Sequence, residues 1–103
     1  MYIKSVLAYR IYDTVSVLIS ADLPRPCDKA RICCTYPGNI VYFRDPGKAQ
    51  VFIEFSSSDE ICPDVLWPWS SSVQLKDSAH DEVEIFVNRE SIVSVPIFNY
   101  PKF

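Results

Sequence analysis

The chain has 103 residues, 49% of them hydrophobic and 22% charged, with a formal net charge of -3. That is enough for one domain spanning 1–103, and it is too hydrophobic and too weakly charged for a disordered chain. No apolar run reaches the roughly 18–20 residues of a membrane helix, and ten basic residues with a pI near 5.0 give little purchase on nucleic acid phosphates.

Residues 1–12 carry Lys4 and Arg10 and lack an apolar h-region. They do not read as a signal peptide, so a cytoplasmic location is expected. In a reducing cytosol, Cys27, Cys33, Cys34 and Cys62 are expected as thiols packed like small hydrophobes. Their spacing holds no C-x-x-C pair and fits no zinc pattern, so no metal site is expected. Cys33 and Cys34 would point to opposite faces of a regular strand. Were the chain exported, Cys27 and Cys62 would be the pair to test.

In chain order, the first hairpin joins Tyr2–Tyr12 to Val15–Leu23 at Asp13-Thr14. β-Branched and aromatic density favours strand over helix in both arms. A two-residue turn there sets Tyr12 opposite Val15, Ala8 opposite Ile19 and Val6 opposite Ala21. Leu23-Pro24-Arg25-Pro26 is a stiff loop, because two prolines fix φ and remove donors. Three strands follow: Arg31–Tyr36, Ile40–Arg44 and Ala49–Phe55. The turns Pro37-Gly38 and Pro46-Gly47 would separate them. Ile40–Phe43 is apolar on both faces and reads as a central strand.

Residues 56–70 form the longest irregular stretch. Ser57 and Glu60 have capping-box spacing, so one helical turn is expected before Pro63. A short strand at Ser71–Leu75 and a polar loop at Asp77–Asp81 come next. The final pair is Glu82–Val87 and Ile92–Phe98 around Asn88–Ser91, with Pro96 marking an edge strand or a strand end. The apolar tail 97–103 is expected to dock on the body. The fold class is therefore all-β. It should be a small two-layer antiparallel β-sandwich or partly open barrel of about 7–8 short strands.

Charge is divided along the chain. Residues 1–53 carry seven bases and four acids, whereas 54–90 carry nine acids and two bases. An acidic half of this kind can select a basic partner. Trp67 and Trp69, the two tryptophans, sit inside this half around Pro68. Tryptophan is enriched in interface hot spots, and Pro68 stiffens the backbone.

The expected function is a small protein-interaction module of inhibitor, immunity or accessory-subunit type. Its partner would be a protein with a basic surface. Its contact residues would be Trp67, Trp69, Asp59, Glu60, Asp64, Asp81 and Glu82. The alternative is a carbohydrate or small-ligand binder that stacks a sugar on Trp67 and Trp69. Homo-oligomerisation stays open.

An enzyme is not expected, and no cofactor is implied. His80 lies between Asp77 and Asp81, but no G-x-S-x-G elbow supplies a nucleophile. It reads as an exposed loop histidine. The acids near it lack the glycine and spacing of a calcium loop. Gly38 and Gly47, the two glycines, cannot make a phosphate loop or dinucleotide fingerprint. Arg31 and Arg44 would lie close together if their strands paired, as a small anion site.

Overall fold

The inward-facing residues of seven strands build one apolar core. The strands are β1 (Tyr2–Ile11), β2 (Thr14–Leu23), β3 (Lys29–Tyr36), β4 (Ala49–Ser56), β5 (Trp67–Lys76), β6 (Glu82–Val87) and β7 (Glu90–Asn99). They come from a computed structural model, which describes residues 1–99. The strand order is β3-β4-β6-β7-β1-β2-β5 in one sheet that curls into a nearly closed barrel. Four neighbouring pairs are antiparallel, as expected; β1 with β7 and β4 with β6 are parallel. Neither parallel pair is consecutive in the chain: β5 intervenes between β4 and β6, and β1 and β7 are the first and last strands.

Period-two alternation places the core. In β2, Val15, Val17, Ile19, Ala21 and Leu23 are buried, and the residues between them face outward or lie half-buried. Val51 and Ile53 of β4, Leu75 of β5, Val83 and Ile85 of β6, and Ile97 of β7 meet them. The two edge strands, β3 and β5, close on each other through Trp69. Its ring packs on the core, and its Nε1 donates to the Ala30 carbonyl at 3.2 Å.

The first hairpin turns one residue earlier than expected. Ile11 pairs with Thr14, Tyr12 takes φ 58°, and Ala8 faces Val17. From Ser5 to Ile11 the partner of each β1 residue is shifted by two, and a bulge before Ser5 adds one more at Tyr2 and Ile3. Shifting by an even number keeps every side chain on its face, so the buried set survives. Tyr12 leaves the apolar face for the turn, where it is 88% exposed. The last hairpin is tighter than expected. Asn88 and Arg89 both have positive φ, and Val87 pairs with Glu90. Two such residues make the primed turn that suits the twist of a hairpin.

Three expectations fail. Ile40–Arg44 is not a strand: β3 pairs with β4 from Lys29↔Ser56 to Tyr36↔Gln50, and 37–48 is a loop between them. Ile40 N donates to Thr35 O across the bend, and Gly38, at φ +155°, has no room for a Cβ against Thr35. Val41 and Phe43 are thereby fully exposed to solvent. Arg31 consequently pairs with Glu54 across β3 and β4, at 2.9 Å, and forms no anion site with Arg44. No helical turn forms at Ser57–Glu60; the segment is irregular and β5 begins at Trp67.

Pro96 lies in a central strand, not an edge. It stands where β7 stops pairing with β6 and begins, at Ile97, to pair with β1. At that handover a missing N–H is tolerated. Of the tail, Ile97 docks and Phe98 is exposed; positions 100–103 lie outside the described residues.

The cysteines also depart from expectation. Cys27 and Cys62 form a disulfide, whereas Cys33 and Cys34 are free. Among the described residues, no helix is long and apolar enough to cross a membrane.

Candidate functional site

The strand directions sort the loops into two ends. One end holds 24–28, 57–66 and the Asn88-Arg89 turn. The other holds the Tyr12-Asp13 turn, 37–48 and 77–81. Each end carries a distinct cluster.

At the second end, β1 delivers Arg10, and the loop after β5 folds back over it. Arg10 Nε donates to Asp77 O at 3.0 Å, and Nη2 reaches Asp77 Oδ2 at 2.8 Å and His80 O at 2.6 Å. Its Nη1 donates to Asn99 Oδ1. These bonds turn a polar stretch of sequence inward. His80 is 7% exposed, against the expectation of an exposed loop residue. The guanidinium satisfies the loop's backbone oxygens and so permits the burial.

His80 bridges two carboxylates. Nδ1 contacts Asp77 Oδ1 at 2.6 Å, and Nε2 contacts Asp45 Oδ1 and Oδ2 at 2.8 and 2.9 Å. The Tyr36 ring lies edge-on, 5.8 Å between centroids. Burial disfavours the charged imidazole, but the hydrogen bonds and charges of Asp45 and Asp77 outweigh it and raise the pKa above 6.5. Burial would also raise the Asp77 carboxyl; the bonds from His80 and Arg10 outweigh that and hold it below 3.8. For Asp45, the Gly47 N–H and then His80 lower it. With both ring nitrogens occupied, His80 has no free base to offer a substrate. Its chemistry is that of a charged clasp, fastening the 37–48 loop to the 77–81 loop.

The clasp has a pH window. The raised His80 contributes stability that is complete below its unfolded pKa and lost as pH rises through the folded value. The lowered carboxylates contribute stability present above their unfolded pKa and lost as pH falls through their folded values. The protein should therefore be most stable between about pH 4 and pH 6.5 as far as this cluster is concerned. Melting temperature should fall from pH 6 to pH 9 in the wild type, and a His80→Gln variant should lose that slope. An equal slope in the variant would assign the titration elsewhere.

At the first end, the 57–66 loop is held from below. The Cys27–Cys62 disulfide anchors it, and Arg25 Nη2 donates to Ser58 O. Asp28, 5% exposed, accepts from Ser58 N at 3.1 Å and from Arg25 at 3.2 Å. Burial would raise Asp28, yet these donors lower its pKa overall. On this anchored loop Ile61 is fully exposed and Val65 and Leu66 are more than half exposed, as is Trp67 where β5 begins. Asp59, Glu60 and Asp64 are exposed among them.

The sequence-predicted residues are thus divided. Asp59, Glu60, Asp64, Trp67 and Trp69 share the first end, whereas Asp81 and Glu82 lie at the second, where β6 begins. Trp67 is exposed, but Trp69 is half-buried in the barrel seam. Both belong to β5 and not to a loop. Ile61, Val65 and Leu66 were missed. Their signal was available: apolar side chains in an irregular segment have no strand partner to bury them. The Asp45–His80 contact, 35 positions apart, had no local signal.

No family model, curated protein or solved structure matches the chain.

Proposed function

We propose that this protein is a small interaction module that docks a partner protein through the 57–67 end. The carrying observation is the exposure of Ile61, Val65 and Leu66 on a loop that a disulfide and the Arg25–Asp28 pair hold in place, and of Trp67 where β5 begins. Apolar side chains normally cost free energy when left in water. A clustered, anchored set of them is the common signature of a contact surface. Anchoring lowers the ordering cost of association, because the loop is already fixed before the partner arrives.

The acids define the partner. Asp59, Glu60 and Asp64 are exposed along the same segment as the apolar side chains, so the complementary surface would be basic with apolar contacts. Encounter would be steered by charge and held by the buried apolar contacts. Asp81 and Glu82 add only to the long-range field from the far end. The disulfide weighs against the cytosolic location expected from the N-terminal sequence, since such bridges persist mainly in oxidising compartments.

The test uses an immobilised wild-type chain and an Ile61→Ser, Leu66→Ser variant, both challenged with extract of the native host. One protein should be retained by the wild type and depleted by about tenfold or more on the variant, the effect of a lost hot spot. Raising the salt should speed its elution. Equal retention by both columns would refute this surface, and salt-independent retention would refute the role of its acids.

A further inference from the structure

Adjacent side chains on a regular strand point to opposite faces. β3 breaks that alternation at Cys33. Ile32 pairs with Ile53 and Cys34 with Phe52, which leaves Cys33 as the extra residue of a β-bulge. The bulge brings both side chains to one side. Cys33 Sγ and Cys34 Sγ lie 2.7 Å apart, well inside ordinary contact between two unbonded sulfurs. Both residues are half-buried and line a groove of about 610 Å³ with Ile40, Tyr42, Phe52 and Arg89. A small reagent can therefore reach them from solvent.

We propose that Cys33 and Cys34 form a vicinal dithiol–disulfide couple that exchanges with a disulfide oxidant. One cysteine loses its proton and its sulfur attacks the oxidant RSSR. A mixed disulfide forms, and one RS⁻ leaves and takes up that proton. The second cysteine then loses its proton and attacks the protein sulfur of the mixed disulfide, expelling the second RS⁻, which is protonated in turn. Two protein thiols are oxidised and one RSSR is reduced to two RSH. The Cys27–Cys62 bridge already requires an oxidant during maturation, and one of this class suffices for both pairs.

The surroundings slow the reopening of such a bridge. Burial, and then the neighbouring sulfur, push the Cys33 thiol up to about 11. A thiol that ionises so reluctantly leaves a disulfide slowly. This reading is independent of the docking end, because the pair sits in the middle of β3 and not on the 57–66 loop.

The test is a mass measurement on the folded protein after incubation with oxidised glutathione. Remaining thiols are trapped with a maleimide under denaturing conditions, and the chain is cut with a protease. The peptide holding Cys33 and Cys34 should be lighter than its dithiol form by two hydrogens and carry no maleimide. A peptide with two maleimides, or one linked to Cys27 or Cys62, would overturn the proposal. A second arm reduces the pair gently, leaving Cys27–Cys62 intact, and adds phenylarsine oxide. Both sulfurs should close on the arsenic with loss of one water, giving one adduct per chain. Uptake should vanish in Cys33→Ser and in Cys34→Ser, each checked for a native circular dichroism spectrum. Undiminished uptake in either variant would also overturn it.

Discussion

Replacing Asp77 with Ala should lower the folding stability by about 3–5 kcal/mol, the cost of removing one partner from a buried ionic network. The Asp77 side chain is 3% exposed and accepts from Arg10 Nη2, His80 Nδ1 and the His80 backbone N–H. Its loss takes the carboxylate from the Arg10 guanidinium, itself only 11% exposed and left with neutral oxygen acceptors, and leaves the imidazolium with Asp45 alone. In a domain this size the melting temperature should drop by more than about 10 °C. Urea unfolding gives the free energy directly. Asp77→Asn should cost less, since the amide oxygen still accepts, and should weaken the fall in stability from pH 6 to pH 9. Asp64→Ala, on the exposed loop, should stay within about 0.5 kcal/mol of wild type. A loss below about 1 kcal/mol for Asp77→Ala would mean that the clasp is a surface contact with no energetic role.

Removing the disulfide should have the second large effect. Cys27 and Cys62 are 35 positions apart, and closing a loop of that length restricts the unfolded chain by about 3–4 kcal/mol in the chain-entropy account. The double variant Cys27→Ser, Cys62→Ser should lose stability of that order in urea. The loss should be local as well as global. Arg25 and Asp28 would then be the remaining ties on Ser58, so native-state proteolysis should concentrate in 57–66. That pattern bears on function, because the loop carries the apolar surface. A folded double variant that binds the captured partner as tightly as wild type would show that anchoring contributes nothing to recognition. Cleavage outside 57–66 would place the weak point elsewhere.

These two residues also mark how far the sequence could be read. Asp77 and His80 stand three positions apart in a polar stretch, and such stretches are usually solvated loops. What buries them is Arg10, 67 and 70 positions away from them, which enters only when β1 and β5 lie on either side of β2. Cys27 and Cys62 show the same limit. Their pairing depends on two loops meeting at one end of the barrel, and spacing along the chain does not encode that. The bulge at Cys33 is likewise a matter of how β3 matches β4. Read alone, Ile32-Cys33-Cys34-Thr35 is an ordinary strand.

Local chemistry was a better guide where each residue answers to its neighbours. The alternating apolar positions of β2 and β6 name their own buried faces, and the turns at 12–13 and 88–89 fall within a residue or two of where the sequence implies. An all-β chain with few glycines and many prolines was therefore settled by composition and period. The 40–44 segment is the exception. Its apolar run was indistinguishable from a buried strand, yet β3 had a longer match in Ala49–Ser56 and excluded it.

The sequence by itself determined the fold class, six of the seven strands to within a few residues of their ends, and the concentration of acids in 54–90. It did so because strand alternation, turn chemistry and charge are local properties. Tertiary structure alone decided which β-edges meet, which acids share a surface, and which of the two tryptophans stays in water. Trp69 closes the seam between β3 and β5 because Ala30 offers it a carbonyl there. Trp67, two residues earlier on the same strand, reaches past the core's end and remains exposed. Identical side chains took opposite roles because burial depends on what the fold brings opposite them.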